Sequence, residues 1–102
     1  MDQKSATSAG SELVVRLPPE VEPYRDDLRR FVDARIYKLK VHAKKGRWEN
    51  RPMHDMLPLL MGEVYELETA MNGGNLIEIL MEAADVGNYA LIIASTAVER
   101  GK

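Results

Sequence analysis

The apolar positions of this chain fall into three long stretches with helical spacing, divided by runs of glycine, proline and small polar residues. In the first stretch Leu28, Phe31, Val32, Leu39 and Ala43 recur with Arg and Lys between them, which predicts a helix from Glu20 or Tyr24 to Ala43. Pro23 fits only its first turn, where the missing N–H is not needed. Lys44-Lys45 before Gly46 is a helix C-terminal pattern. A polar loop from Gly46 to His54 follows. Met56, Leu59, Leu60, Val64, Leu67 and Ala70 then share one arc of a helical wheel, predicting a second helix from an Asp55 N-cap to Met71. Asn72-Gly73-Gly74 breaks it. Asn75 is placed to cap a third helix, with Glu78 three residues on, running to Glu99 with Gly101 just past its end. Ile79, Ala83, Val86, Ala90 and Ile93 form its expected core arc.

No segment alternates strongly enough for a sheet, and no internal repeat is present. The predicted class is all-α: a helical bundle built from a long first helix and an αα-hairpin. Residues 1–19 read as a flexible tail and short lead-in. Met1 to Ser11 are small and polar. Leu13 to Leu17 are briefly apolar before Pro18-Pro19, with extended and helical forms both open. Residues 20–102 read as a single domain.

Composition adds an oligomer to this picture. A chain of 102 residues is small for burying a core alone. The third helix is apolar on nearly every side, since Ile77, Met81, Leu91 and Ile92 extend beyond its arc. A helix apolar all round is buried all round. Three helices cannot cover it, so a homodimer or homotetramer is expected, with the six methionines suited to adaptable packing. The absence of cysteine excludes disulfides, zinc ribbons and thiol nucleophiles. The start Met1-Asp2-Gln3-Lys4 lacks signal-peptide order. The longest strictly apolar run, Tyr89 to Ala94, is too short to cross a bilayer. A cytoplasmic protein without membrane association is the expectation.

Charge changes the picture more. Tyr24 to Arg51 carries ten Lys/Arg against four Asp/Glu, whereas Gly62 to Lys102 carries seven Asp/Glu against two Lys/Arg. A basic segment beside an acidic one can hold polyphosphate and metal together. For Arg25, Arg29 and Lys38 the plainer reading, a solvated helix face, is preferred.

Residues three apart on a helix converge on one side, and the acidic segment has two such pairs: Glu63 with Glu66, and Glu82 with Asp85. The turn at Asn72 to Gly74 brings them together. Glu63 falls inside the apolar arc of its helix and Glu66 at its edge; Glu82 borders the next arc, with Asp85 just outside. Glu68 points away. Acids are seldom buried unless paired or metal-bound, and no Lys or Arg lies between Gly62 and Val98. Two readings follow: Mg²⁺ held by the four carboxylates, or ion pairs with Arg29, Arg30 or Arg35. A di-iron site is disfavoured, because neither pair includes a histidine.

Glu63-x-x-Glu66, then Glu82-x-x-Asp85, resembles the signature of the MazG-like all-α nucleoside triphosphate pyrophosphohydrolases. Leu59 to Leu67 resembles the family's first metal helix and Glu82 to Tyr89 its second. Lys45-Gly46-Arg47-Trp48 resembles a Lys-Gly-x-Trp loop of short members. His42 stands where related chains carry an Asn. The resemblance covers about Leu39 to Ala97 and implies a MazG-like domain over 20–102. Its activity would be conversion of a (d)NTP to (d)NMP and pyrophosphate, with dNTPs preferred and Mg²⁺ (or Mn²⁺ in its place) on Glu63, Glu66, Glu82 and Asp85. Glu63, deepest in its arc, is the expected general base, because burial raises a carboxylate pKa toward neutrality.

Lys44 and Lys45 read as phosphate contacts or as helix-end cations. Trp48 reads as a base-stacking surface or a packing anchor. Asn88 reads as a substrate contact or an interhelical hydrogen bond. His42 and His54 read as solvent or loop residues. Two rivals remain, a phosphoribosyl-ATP pyrophosphohydrolase and a non-catalytic helical interaction module. The Lys-Gly-x-Trp loop opposes the former, and no recognition-helix pattern supports nucleic-acid binding for the latter.

Overall fold

The computed structural model describes residues 8–13, 16–43 and 52–100. It is all-α. A short α1, Ala9–Leu13, precedes a 3₁₀ segment at Pro19–Tyr24, and three long helices follow: α2 Arg25–Ala43, α3 Met56–Gly73 and α4 Leu76–Arg100. Among the described residues there is no strand.

Local chemistry explains most of the boundaries. Pro19 and Pro23 sit in the 3₁₀ segment that leads into α2, where fixed φ suits a tight turn and few N–H groups are needed. The end of α3 is set by Gly74, which adopts φ 78° and returns its N–H to the Ala70 carbonyl at 3.1 Å. Asn75 then caps α4, its Oδ1 accepting the Glu78 N–H at 3.0 Å. Asp55 behaves differently from its expected role. It is helical in backbone and makes no side-chain cap; a one-turn 3₁₀ segment, Met53–Asp55, leads into α3 instead. Lys44, Lys45 and Trp48, with residues 46–51 of the loop, lie outside the described residues, as does Gly101.

Helix begins within the expected tail, and Val14 and Val15 of the Leu13–Leu17 segment lie outside the described residues. Helix forms earlier, at Ala9–Leu13, and docks on α2. The Gly10 N–H donates to Asp33 Oδ1 at 2.7 Å. A Cβ at Gly10 would meet the Arg29 carbonyl oxygen and stand 2.8 Å from Asp33 Oδ1, so only glycine permits this approach. Ser8 caps the helix through the Ser11 N–H at 3.0 Å.

α4 packs against both α2 and α3, whereas α2 and α3 have no Cα atoms within 8 Å of each other. Residue partners run in opposite directions along α2 and α4 (Arg35 with Asn88, Lys38 with Asp85), so these helices are antiparallel. α4 is therefore the floor of a groove whose walls are α2 and α3. The radius of gyration, 15.5 Å, exceeds the roughly 13 Å of a compact chain of this length.

The core is thin. Among the described residues, those buried and apolar are Ala34, Met56, Ala70, Ala84 and Ile92, three of them alanines. Leu76, Ile77, Met71, Tyr65 and Val98 stand more than half exposed. The inward face of α4 also differs from the expected arc. Ala84, Asp85, Asn88 and Ile92 are buried, while Ala90 is exposed and Ile79, Ala83, Val86 and Ile93 are half-buried. These two faces are nearly opposite on the wheel. A helix apolar on all sides gives periodicity no preferred face. The face that wins is the one whose polar residues find partners on α2.

Candidate metal and phosphate site

The groove gathers the acids from one wall, α3, and the floor, α4. Glu63 lies on α3 in register with Met56, Leu60, Leu67 and Ala70, the residues of that helix turned toward α4. Its place inside the apolar arc was legible in the sequence. Glu82 and Asp85 come from α4, with Glu66 at the exposed rim. One oxygen from each of Glu63, Glu66 and Glu82 can be chosen so that all lie within 4.8 Å of one another.

Three carboxylates this close repel. Burial, hydrogen bonding with Glu66, and the negative charges of Asp85, Glu66 and Glu82 push the Glu63 carboxyl from 4.5 up to about 7. Burial and the charges of Glu66 and Asp85 also raise Glu82, against a smaller lowering by Lys38. Glu63 Oε2 is buried without a hydrogen-bond partner among the described residues. Buried polar atoms are normally satisfied. This one belongs to a residue in a cluster of hard oxygen donors, the chemistry that Mg²⁺ and Mn²⁺ take, so the residues present fit such an ion.

Asp85 is placed differently from its expected position just outside the arc. It is 5% exposed, deeper than Glu63, and is met from α2. Lys38 Nζ lies 3.1 Å from Oδ2 and His42 Nε2 lies 3.4 Å from Oδ1. His42 Nε2 is itself buried and not aligned for a hydrogen bond. Lys38 is thus no solvated helix-face lysine and His42 no solvent residue. For Lys38, burial alone would lower the pKa. The bond to Asp85, with the charges of Asp85, Glu82 and Glu63, outweighs burial and holds the ammonium above its ordinary value.

Asn88, one turn beyond Asp85, is also 5% exposed and forms the interhelical bond rather than facing open groove. Its Oδ1 accepts from Arg35 Nε at 3.0 Å and its Nδ2 donates to the Arg35 carbonyl at 3.0 Å. Gly87 lets α2 approach here, since a Cβ would stand 3.2 Å from Phe31 Cζ and 3.3 Å from Arg35 Cδ. The arginines weighed as acid partners turn elsewhere: Arg29 to Asp33, Arg30 to Asp27 and Arg35 to Asn88. Lys38 and His42 were the residues missed. Their signal was present as the stripe Phe31, Arg35, Lys38, His42 at intervals of four, three and four.

Comparison with protein-family models, with curated proteins and with solved structures finds no match in any of the three.

Proposed function

We propose that this chain is a divalent-cation-dependent nucleoside triphosphate pyrophosphohydrolase of MazG-like type, with dNTPs as preferred substrates. The observation that carries the reading is the convergence of Glu63, Glu66 and Glu82 within 4.8 Å over a floor containing Asp85. The resemblance of the two acid pairs and their flanks supplies the reaction class. Glu63, Glu66, Glu82 and Asp85 would hold Mg²⁺ or Mn²⁺. When bound, the ion supplies neutralisation of phosphate oxygens and a more acidic attacking water. Glu63, whose crowded carboxyl stands near 7 in the metal-free protein, is the proposed acceptor of that water's proton. Lys38 and His42 bring positive charge and a donor nitrogen to the wall opposite Glu63.

The exposed Leu76, Ile77, Leu91 and Val98 of α4 support completion of the bundle by a second copy, as a homodimer or homotetramer. Asp85 held by Lys38 favours, for that acid alone, the rival reading of a non-catalytic helical module whose acids are paired internally. Incubation with a panel of dNTPs and NTPs plus Mg²⁺ separates the two. Monophosphate and pyrophosphate are expected; orthophosphate and diphosphate mean the wrong bond, and no turnover leaves the module. Millimolar Mg²⁺ is also expected to raise the melting temperature, because it binds only the assembled cluster. A Glu82→Gln variant that keeps the full rise would place the ion elsewhere.

A further inference from the structure

We propose that Lys38 is a tethered counter-ion for Asp85, one that an entering divalent cation must displace before Asp85 can serve as a ligand. The proposal rests on the metal reading above and concerns how this chain's own residues prepare for the ion.

The carboxylates divide into two groups. Glu63, Glu66 and Glu82 approach one another, and among the described residues none of them forms an ion pair. Asp85 stands apart from that set. Its Oδ2 is 3.1 Å from Lys38 Nζ, its Oδ1 is 3.4 Å from His42 Nε2, and little of its side chain meets solvent. A buried carboxylate without a partner is costly, and the ammonium removes that cost while the site is empty of metal. A divalent ion bridging the two groups needs an Asp85 oxygen, and α2 covers both. An ammonium on Oδ2 and a divalent ion on either oxygen of the same carboxylate repel each other, so the ion's entry and the departure of Lys38 are coupled.

Lys38 can leave without rebuilding the helix. Its side chain keeps 20% of its surface in solvent, and its charge sits on a flexible four-carbon stem. The released ammonium stays tethered at the groove wall, where the phosphate oxygens of a nucleotide drawn to the ion would sit. The same residue then serves two states in turn: partner to Asp85 in the metal-free protein, partner to phosphate in the loaded one.

The test uses Mn²⁺ alone, with the full chain and no nucleotide, and reads free Mn²⁺ by its electron paramagnetic resonance signal. Lys38→Met is expected to bind Mn²⁺ about tenfold tighter than wild type, because the competitor for Asp85 is gone. In an Asp85→Asn background the same substitution is expected to change affinity less than about twofold. An equal gain in both backgrounds would mean a diffuse charge effect and overturn the proposal. Lys38→Met leaves Asp85 unpaired and risks poor folding, so Lys38→Arg provides a second arm. Its forked guanidinium holds a carboxylate more firmly, and Mn²⁺ binding is expected to weaken about threefold or more. Unchanged or tighter binding by Lys38→Arg would count against displacement. If wild type binds no Mn²⁺, the metal reading itself falls and this inference with it. If wild type binds and Lys38→Met binds no tighter, only this inference falls.

Discussion

Replacing Glu63 with Gln tests the electrostatics of the cluster directly. In the metal-free protein Glu63 is crowded by Glu66, Glu82 and Asp85, and its carboxyl is carried from 4.5 to about 7. A carboxyl whose folded value is raised binds its proton better in the folded than in the unfolded state. Its ionisation therefore costs nothing below about pH 4.5. The cost grows as pH rises from there to about 7, and is full above 7. The whole displacement corresponds to a ceiling of about 3 kcal/mol. Glu63 keeps solvent contact, and screening reduces the figure to roughly 1–2 kcal/mol. Gln has the same shape and no charge. Metal-free Glu63→Gln is therefore expected to melt with wild type near pH 5 and about 5–10 °C above it near pH 8. The assay is circular dichroism melting across that range, with chelator present and protein concentration held constant. Added Mg²⁺ should reverse the order at pH 8, since the wild-type carboxylate then has a cation to bind. A metal-free variant that melts below wild type at pH 8 would refute the crowding argument.

Three further outcomes follow from the packing. Asn88→Ala removes both bonds to Arg35 and is expected to cost about 2–3 kcal/mol, read as a fall in urea midpoint; an unchanged midpoint would mean the α2–α4 latch is not formed in solution. Gly10→Ala forces a Cβ against the Arg29 carbonyl and Asp33, so α1 should lift and amide exchange at residues 10–13 should quicken while the α4 amides stay protected. Slow exchange throughout would contradict the docked α1. Leu91→Glu places a charge on an exposed apolar face of α4 and should shift sedimentation of the proposed oligomer toward monomer; a wild type that sediments as monomer at all concentrations removes the assembly.

The legible parts of the fold were those with local causes. The Asn72-Gly73-Gly74 break, the Asn75 cap and the spans of the long helices depend on residues adjacent in sequence. So did the alignment of Glu63 with its apolar arc. The facing of α4 was not legible, because its apolar residues run all round and the choice of face was made by Asp85 and Asn88 finding partners some fifty residues away. Lys38 was hidden for a related reason. A lysine among arginines looks solvated until a carboxylate from another helix is laid over it. The docking of α1 depended on the missing Cβ of Gly10, and a glycine in a small polar tail reads first as slack.

The absence of direct packing between α2 and α3 has a mechanical consequence. The floor helix is the one long helix that both walls contact, so the span between the Lys38–His42 side and the Glu63–Glu66 side is fixed by two separate seams. Rolling either wall about α4 narrows or widens that span without breaking a third seam. A small rotation of one wall would change the width of the groove at the expense of only one helix pair.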